Sequence, residues 1–352
     1  MPIPDSHPST RPGAPTSAAV TLKDVARLAD VSPITVSRAL SRPDLLTPET
    51  RERVLRAVEQ IGYVPNALAG GLTSRRTRLV AVTIPTMAHS LFSEMAESLI
   101  DSLAVAGYET TLGISRYDAK REEAWLAAIL SRRPDGVALT GAEHTPRARR
   151  LLDAAGIPVV ELWDYATSPI DCAVGFIQED AGRAALKHLL QAGYRSPAIL
   201  RADDARAARR AQGFRAAAED LGIPVDAEVV FSELQPQAGR GRSALRQLLA
   251  EAPNADAVFC SSDALAQGVI AEAHAQSIGI PAELGVIGFG DQALAVDTVP
   301  TLSSVRVDGA EIGNRAASLL LDRMNKDIKG IAVSVNVGFT LMGRDSTSRQ
   351  GV

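Results

Sequence analysis

A chain of 352 residues, 46% apolar and 22% charged, is long enough for more than one hydrophobic core. No apolar run approaches the roughly 20 residues of a membrane span, and Cys172 and Cys260 stand in separate apolar runs without metal-ligand spacing, as buried thiols of a reducing compartment do. The net charge of −4 conceals a split: ten Lys and Arg against six Asp and Glu between 17 and 78 leave +4, whereas 79–352 carries 26 against 34. A polyanion is therefore attracted by one end only.

Residues 1–17 are rich in Pro, Ser and Thr without an apolar run, which predicts a disordered tail rather than a signal peptide. Thr21 can cap a first helix whose buried stripe is Val25, Leu28 and Ala29. Asp30-Val31-Ser32 make a turn, and Ser32 can cap a second helix starting at Pro33, tolerated at a first helical position. Val36, Ala39 and Leu40 pack this helix inward. Pro33, Ile34, Thr35, Ser37 and Arg38 are left at its edges or outside, where a recognition helix carries base-reading groups. An ordinary helical hairpin would share the pattern up to this point. Thr47-Pro48-Glu49-Thr50 opens a third helix with Val54, Leu55, Val58 and Ile61 inward, stopped by Gly62. Residues 18–65 thus read as a three-helix, helix-turn-helix headpiece. Residues 66–78, with Gly70-Gly71 and Arg75, Arg76 and Arg78, form no core of their own and read as a linker.

From residue 79 short apolar strands alternate with helices. Strands are expected at 79–84, 110–114, 136–140, 158–162, 172–176, 197–201, 229–232, 257–260, 285–288, 303–307 and 333–337. This βαβα rhythm predicts an α/β fold with parallel sheets covered on both faces. Its length implies two similar lobes over 79–345, with a tail at 346–352. Ligands of such sheets bind beyond the carboxyl ends of strands. The residues there are Pro85 with His89, Arg116, Gly141 with His144, Trp163 with Asp164, Arg201 with Asp203, Ser261-Ser262-Asp263, and Gly290-Asp291. An aromatic wall with convergent polar groups suits a sugar-sized polar ligand.

Gly288-Phe-Gly290-Asp-Gln-Ala293 matches a dinucleotide fingerprint, with Asp308 further on. The stretch between Asp291 and Pro300 is too short, and too rich in Val, Thr and Pro, for the crossover helix such a site needs. The five histidines (7, 89, 144, 188 and 274) show no metal or triad spacing, and Asp203-Asp204 and Glu122-Glu123 read as helix-start charges. Neither catalysis, nor a cofactor, nor a metal site is expected.

In this order, headpiece, linker and two-lobed domain resemble the LacI family of bacterial transcriptional repressors over about residues 20–345. The specific matches are Thr21-Leu-Lys-Asp-Val-Ala, Val31-Ser32, Thr35-Val36-Ser37-Arg38, Gly62-Tyr63-Val64-Pro65-Asn66, Arg210-Ala-Gln-Gly213-Phe214 and Gly288-Phe289-Gly290-Asp291. The resemblance implies a periplasmic-binding-protein-like effector domain and a cytoplasmic homodimer or tetramer on double-stranded operator DNA. Its DNA-binding set would be Thr21, Ser32, Pro33, Ile34, Thr35, Ser37, Arg38, Asn66 and Leu72. In the family the positions of Pro33, Ile34 and Arg38 face bases, those of Ser32, Thr35, Ser37 and Asn66 hold phosphates, and that of Leu72 wedges into the minor groove from a hinge helix. Gly70-Gly71 departs from the pattern and should leave that hinge helix less formed when free.

Within the family the chain is most similar to the gluconate-operon repressor branch, through Glu143-His144-Thr145-Pro146-Arg147, 155–162, 171–176, Val258-Phe259-Cys260 and 337–341. At Gly290 many neutral-sugar members carry an aspartate that accepts sugar hydroxyls. Its absence would spare an anionic ligand a like-charge contact. Arg210, with Arg116, would pair a ligand carboxylate. The effector set implied is His89, Phe92, Arg116, His144, Trp163, Asp164, Arg210, Ser262, Asp263 and Asp291. The ligand implied is a sugar acid such as gluconate or 2-ketogluconate, with a neutral sugar or nucleoside as the alternative. An extracytoplasmic sugar carrier would share the two lobes, but a headpiece argues against it.

Overall fold

The computed structural model describes residues 20–64, 76–231, 238–326 and 331–349. The chain divides into two compact units, Met1–Thr77 and Arg78–Val352. Among the described residues no helix is long and apolar enough to cross a membrane.

Among its described residues the first unit has three α-helices: α1 (Leu22–Leu28), α2 (Pro33–Ser41) and α3 (Pro48–Ile61). Each starts as its sequence dictates. The Thr21 N–H and hydroxyl both donate to the Asp24 carboxylate (3.0 and 2.6 Å). Ser32 Oγ accepts from the Thr35 N–H and Thr47 Oγ1 from the Thr50 N–H, each with Pro at the first helical position. Gly62, at φ 64°, ends α3 in the left-handed conformation that favours glycine. The core is small: Val25, Ala26, Ala29, Val36, Ala39, Val54 and Ala57. Leu28 and Leu55, expected inside, are 44% and 42% exposed. With only seven residues, α1 turns Val25, Ala26 and Ala29 inward, and Leu28 falls on its flank.

The second unit carries two six-stranded sheets. The first is ordered β11-β5-β4-β3-β1-β2. Its strands are β1 (Leu79–Ile84), β2 (Glu109–Ile114), β3 (Gly136–Thr140), β4 (Val159–Asp164), β5 (Cys172–Phe176) and β11 (Val333–Asn336), all parallel. The second is ordered β12-β10-β9-β8-β6-β7. It contains β6 (Pro197–Ala202), β7 (Glu228–Phe231), β8 (Ala257–Cys260), β9 (Gly285–Gly290), β10 (Ser303–Arg306) and β12 (Thr340–Met342), with β12 alone antiparallel. Between strands run α4 (Ser90–Val105), α5 (Ala119–Leu130), α6 (Pro146–Ala155), α7 (Gln178–Gln191), α8 (Ala205–Asp220), α9 (Ala238–Glu251), α10 (Asp263–Ala275) and α11 (Gly309–Lys326). β3, β4 and β5 are buried at every position, as strands with both faces covered must be.

All eleven expected strands are present, and β12 is an addition. The chain passes between lobes three times: after β5, after β10, and between β11 and β12. A 3-10 turn at Ala293–Val296 stands between β9 and β10, so Gly288–Ala293 opens no α-helix onto which a pyrophosphate could dock. The ordered fold also continues beyond residue 345, where a tail was expected. The Ser346 hydroxyl donates to the Val286 carbonyl and accepts from the Ser303 N–H, and Thr347 Oγ1 meets His188 Nε2 at 2.7 Å. The Ser346 hydroxyl thereby satisfies backbone groups of the second sheet, and both residues are buried there.

Candidate functional site

In the first unit the outer surface of α2 is polar and small. Ser32, Pro33, Ser37 and Arg38 are exposed, Thr35 is half-buried, and Ile34 is 64% exposed. Ser32 Oγ lies 2.9 Å from Thr35 Oγ1. An exposed isoleucine and arginine beside short hydroxyls give one face an apolar group, a bidentate donor and hydroxyls together. Thr21 is committed to Asp24. Asn66 and Leu72, and most of the expected 66–78 linker, lie outside the described residues.

In the second unit the strand ends of both sheets line two joined cavities. The larger, about 280 Å³, is walled by Ser115, Glu122, Thr140, Gly141 and Asp164 on one side and Asp203, Asp204, Arg206 and Arg209 on the other. It shares Tyr117, Asp204 and Arg206 with a narrower cavity lined by His89, Phe92, Trp163, Arg210, Ser261, Ser262 and Phe289. Phe92 and Trp163 pack at 4.9 Å between ring centroids, and Phe176 ties Trp163 to Phe289 at 5.6 and 6.0 Å. The result is an aromatic wall for an apolar ligand face.

Arg210 on α8 is held there by close helix packing. A Cβ on Gly182 would sit 1.8 Å from the Arg210 carbonyl oxygen, and one on Gly213 would sit 1.9 Å from that of Glu179, so the close approach of α7 to α8 requires glycine at both positions. The Arg210 side chain donates to Gln178 Oε1 (2.6 Å) and the Ser261 carbonyl (3.2 Å), and its guanidinium lies 3.9 Å from the Phe289 ring centroid. It is 5% exposed, its Nε is buried without a partner, and among the described residues no carboxylate pairs with it. Burial pushes its pKa down to about 10. Arg206 and Arg209 instead share Asp164, at 3.1 and 2.7 Å, which also accepts from Gln178 Nε2 at 2.9 Å. His89 keeps a buried, unpartnered Nδ1, and burial together with the Arg210 charge pushes its pKa down to about 4.

His89, Phe92, Trp163, Asp164, Arg210 and Ser262 therefore line this site, and four of the expected residues do not. Arg116 is exposed at φ 54°, and its neighbour Tyr117 takes the wall position. His144 is buried behind the wall, between Glu122 and Glu161. Asp263 is buried at the start of α10, accepting from the Ser304 hydroxyl and the Gln292 N–H (both 2.6 Å), and burial pushes its pKa up to about 6. Asp291 is taken up by Arg306 and Arg344, each at 2.6 Å. Gly290 has φ +121°, which L side chains rarely adopt, so a backbone demand suffices to explain its missing carboxylate. Tyr117, Glu122, Asp204, Arg206 and Phe289 were not singled out from the sequence as ligand contacts. Asp204 and Arg206 open α8 directly after β6, which is the signal that could have found them. Among the described residues no cluster of His, Cys, Asp and Glu could hold a metal ion.

A helix-turn-helix unit followed by a two-lobed α/β domain with a cavity at its strand ends defines the ligand-responsive DNA-binding regulators. Residues 21–66 match the model of bacterial regulatory proteins of the lacI family, and residues 186–347 match the periplasmic binding protein-like domain. The chain is 38% identical to the HTH-type transcriptional regulator GntR of Pseudomonas aeruginosa, over 94% of this chain and 97% of that one. It is 32% identical to GntR of Escherichia coli, over 91% and 96%. A LacI-family transcriptional regulator from Silicibacter pomeroyi superposes with a TM-score of 0.88 at 33% identity, over 94% of this chain and all of that one. The transcription regulator GntR from Chromobacterium violaceum gives 0.72 at 36%, over 77% and 100%. The chain belongs to the LacI family and is a DNA-binding transcriptional regulator.

Proposed function

We propose that the chain is a cytoplasmic repressor of carbohydrate-catabolic genes that leaves its operator when a sugar acid, such as gluconate or 2-ketogluconate, occupies the cavity. One observation carries the reading: Arg210 is a buried cation with no carboxylate partner among the described residues. A buried charge without a directly paired carboxylate is costly, and a ligand carboxylate would offset that cost with charge-assisted hydrogen bonds. The aromatic wall would cover the carbon chain, and Arg206, Thr140 and Ser262 would order its hydroxyls. The resemblance to regulators named GntR points the same way.

On the DNA side a homodimer would place two headpieces on a near-palindromic operator. Arg38, Ile34 and Pro33 would read bases. Ser32, Thr35, Ser37 and Asn66 would hold the backbone, and Leu72 would wedge the minor groove. Titration calorimetry with gluconate, 2-ketogluconate, ribose and a purine nucleoside tests the ligand class. Heat with the acids alone is expected, and lost in Arg210→Met. Heat only with the neutral ligands replaces this reading with a neutral-sugar or nucleoside regulator.

A further inference from the structure

Behind the wall of the larger cavity lies a charge pair to which the reading above gives no role. Glu122, on α5, is 6% exposed and lines the cavity. His144 Nδ1 lies 2.6 Å from Glu122 Oε1, and its Nε2 lies 3.3 Å from Glu161 Oε1 on β4. The imidazole is wholly buried. Arg149 approaches Glu161 at 3.9 Å, and the Ile170 N–H donates to Glu161 Oε2 at 2.9 Å. The loop carrying His144 is pinned to the same helix, since the Thr145 hydroxyl and the Arg147 guanidinium both donate to Glu123. Burial alone would discharge the imidazole, but the two carboxylates outweigh it and push its pKa up to about 9.

The other carboxylates of the cavity are engaged or peripheral. Asp118 and Asp204 cap α5 and α8, Asp164 holds two arginines, and Asp203 and Glu143 are exposed. Glu122 differs: it lines the cavity while a buried imidazole, shared with Glu161, offsets its charge, so it can accept hydrogen bonds from hydroxyls with less repulsion of an anion. It stands in the cavity that adjoins Arg210's and shares Tyr117, Asp204 and Arg206 with it.

We infer that Glu122 is a specificity-determining residue that reads ligand hydroxyls remote from the carboxylate, and that His144 is the positioning residue that orients and neutralises it. The ligand class this selects is an open-chain polyhydroxy monocarboxylate long enough to span both cavities. The inference rests on the sugar-acid reading. It supplies the hydroxyl acceptor that Gly290 cannot, in a form an anionic ligand tolerates.

The test compares gluconate with the four-carbon acid erythronate on wild type, Glu122→Gln, His144→Gln and the double variant, with melting temperatures recorded for each. Wild type should prefer gluconate. Glu122→Gln should weaken gluconate about tenfold, as loss of a charge-assisted acceptor does, and leave erythronate unchanged. The double variant should bind gluconate no more weakly than His144→Gln alone. Equal loss on both acids, unchanged gluconate binding, or additive losses in the double variant would each overturn the inference. Should His144→Gln not fold, the Glu122→Gln comparison stands by itself. Wild-type protein that binds neither acid overturns the sugar-acid reading before any variant is compared.

Discussion

Three arginines of α8 reach the cavity region, and where their charge goes decides what each can do. Arg206 and Arg209 spend theirs on Asp164, which makes that carboxylate a brace between lobes rather than a free acceptor. Arg210 keeps its own. His144 shows the opposite arrangement, one buried cation for two carboxylates, and this has a consequence in alkali. Its pKa is raised from 6.5 to about 9, so the folded state binds the proton more tightly than the unfolded chain. The stability it contributes is complete below pH 6.5, declines as pH rises, and is gone above about 9. Melting temperature should therefore fall between pH 7 and 9, and that slope should flatten in His144→Gln. His89 works the other way. Held near 4 against 6.5 unfolded, it removes stability as pH drops from 6.5, whereas Asp263, raised to about 6, gains on protonation over much of that range and opposes it. The alkaline limb is the cleaner measurement.

At the scale of elements, the contact of α7 with α8 is the joint on which the site hangs. Gly213→Ala places a methyl 1.9 Å from a backbone oxygen that no rotamer can move, so the helices must part. Denaturant unfolding should show a loss of roughly 1–3 kcal/mol or more, with weaker effector binding as Arg210 shifts. Gly239→Ala, where a methyl meets nothing within 4 Å, is the control. The elements themselves were legible because Val- and Ile-rich runs bounded by Gly and Pro leave few alternatives. β12 was not, since Thr340–Met342 is one exposed and two half-buried residues paired with a distant strand. The site was half legible for a related reason. Residues at or just beyond strand ends, such as Trp163, Asp164 and Ser262, are placed by local chain direction. Glu122 and Arg206 sit on helices, and they meet the cavity only because two lobes close around it. His144 fails in reverse: it follows a strand end, but two glutamates distant in sequence turn it inward.

For the whole molecule, DNA-binding and ligand-binding parts in one chain make a reciprocity unavoidable if each biases the other. Whatever factor a sugar acid removes from operator affinity, the operator must remove from sugar-acid affinity. Titrating gluconate into protein alone and into protein saturated with operator duplex should give the same ratio as operator titrations without and with gluconate. Unequal ratios would mean that the two events are not linked through one equilibrium. The threading of the second unit has another consequence, one of timing. β11, the edge strand that covers β5, comes from residues 333–336, some 160 positions after the strand it pairs with. On the ribosome the first sheet is thus synthesised early yet left with a bare edge until residues 333–336 have emerged. The lobe made first waits for almost all of the second lobe before its own sheet is closed, and newly made chains are most open to mispairing along β5 during that wait.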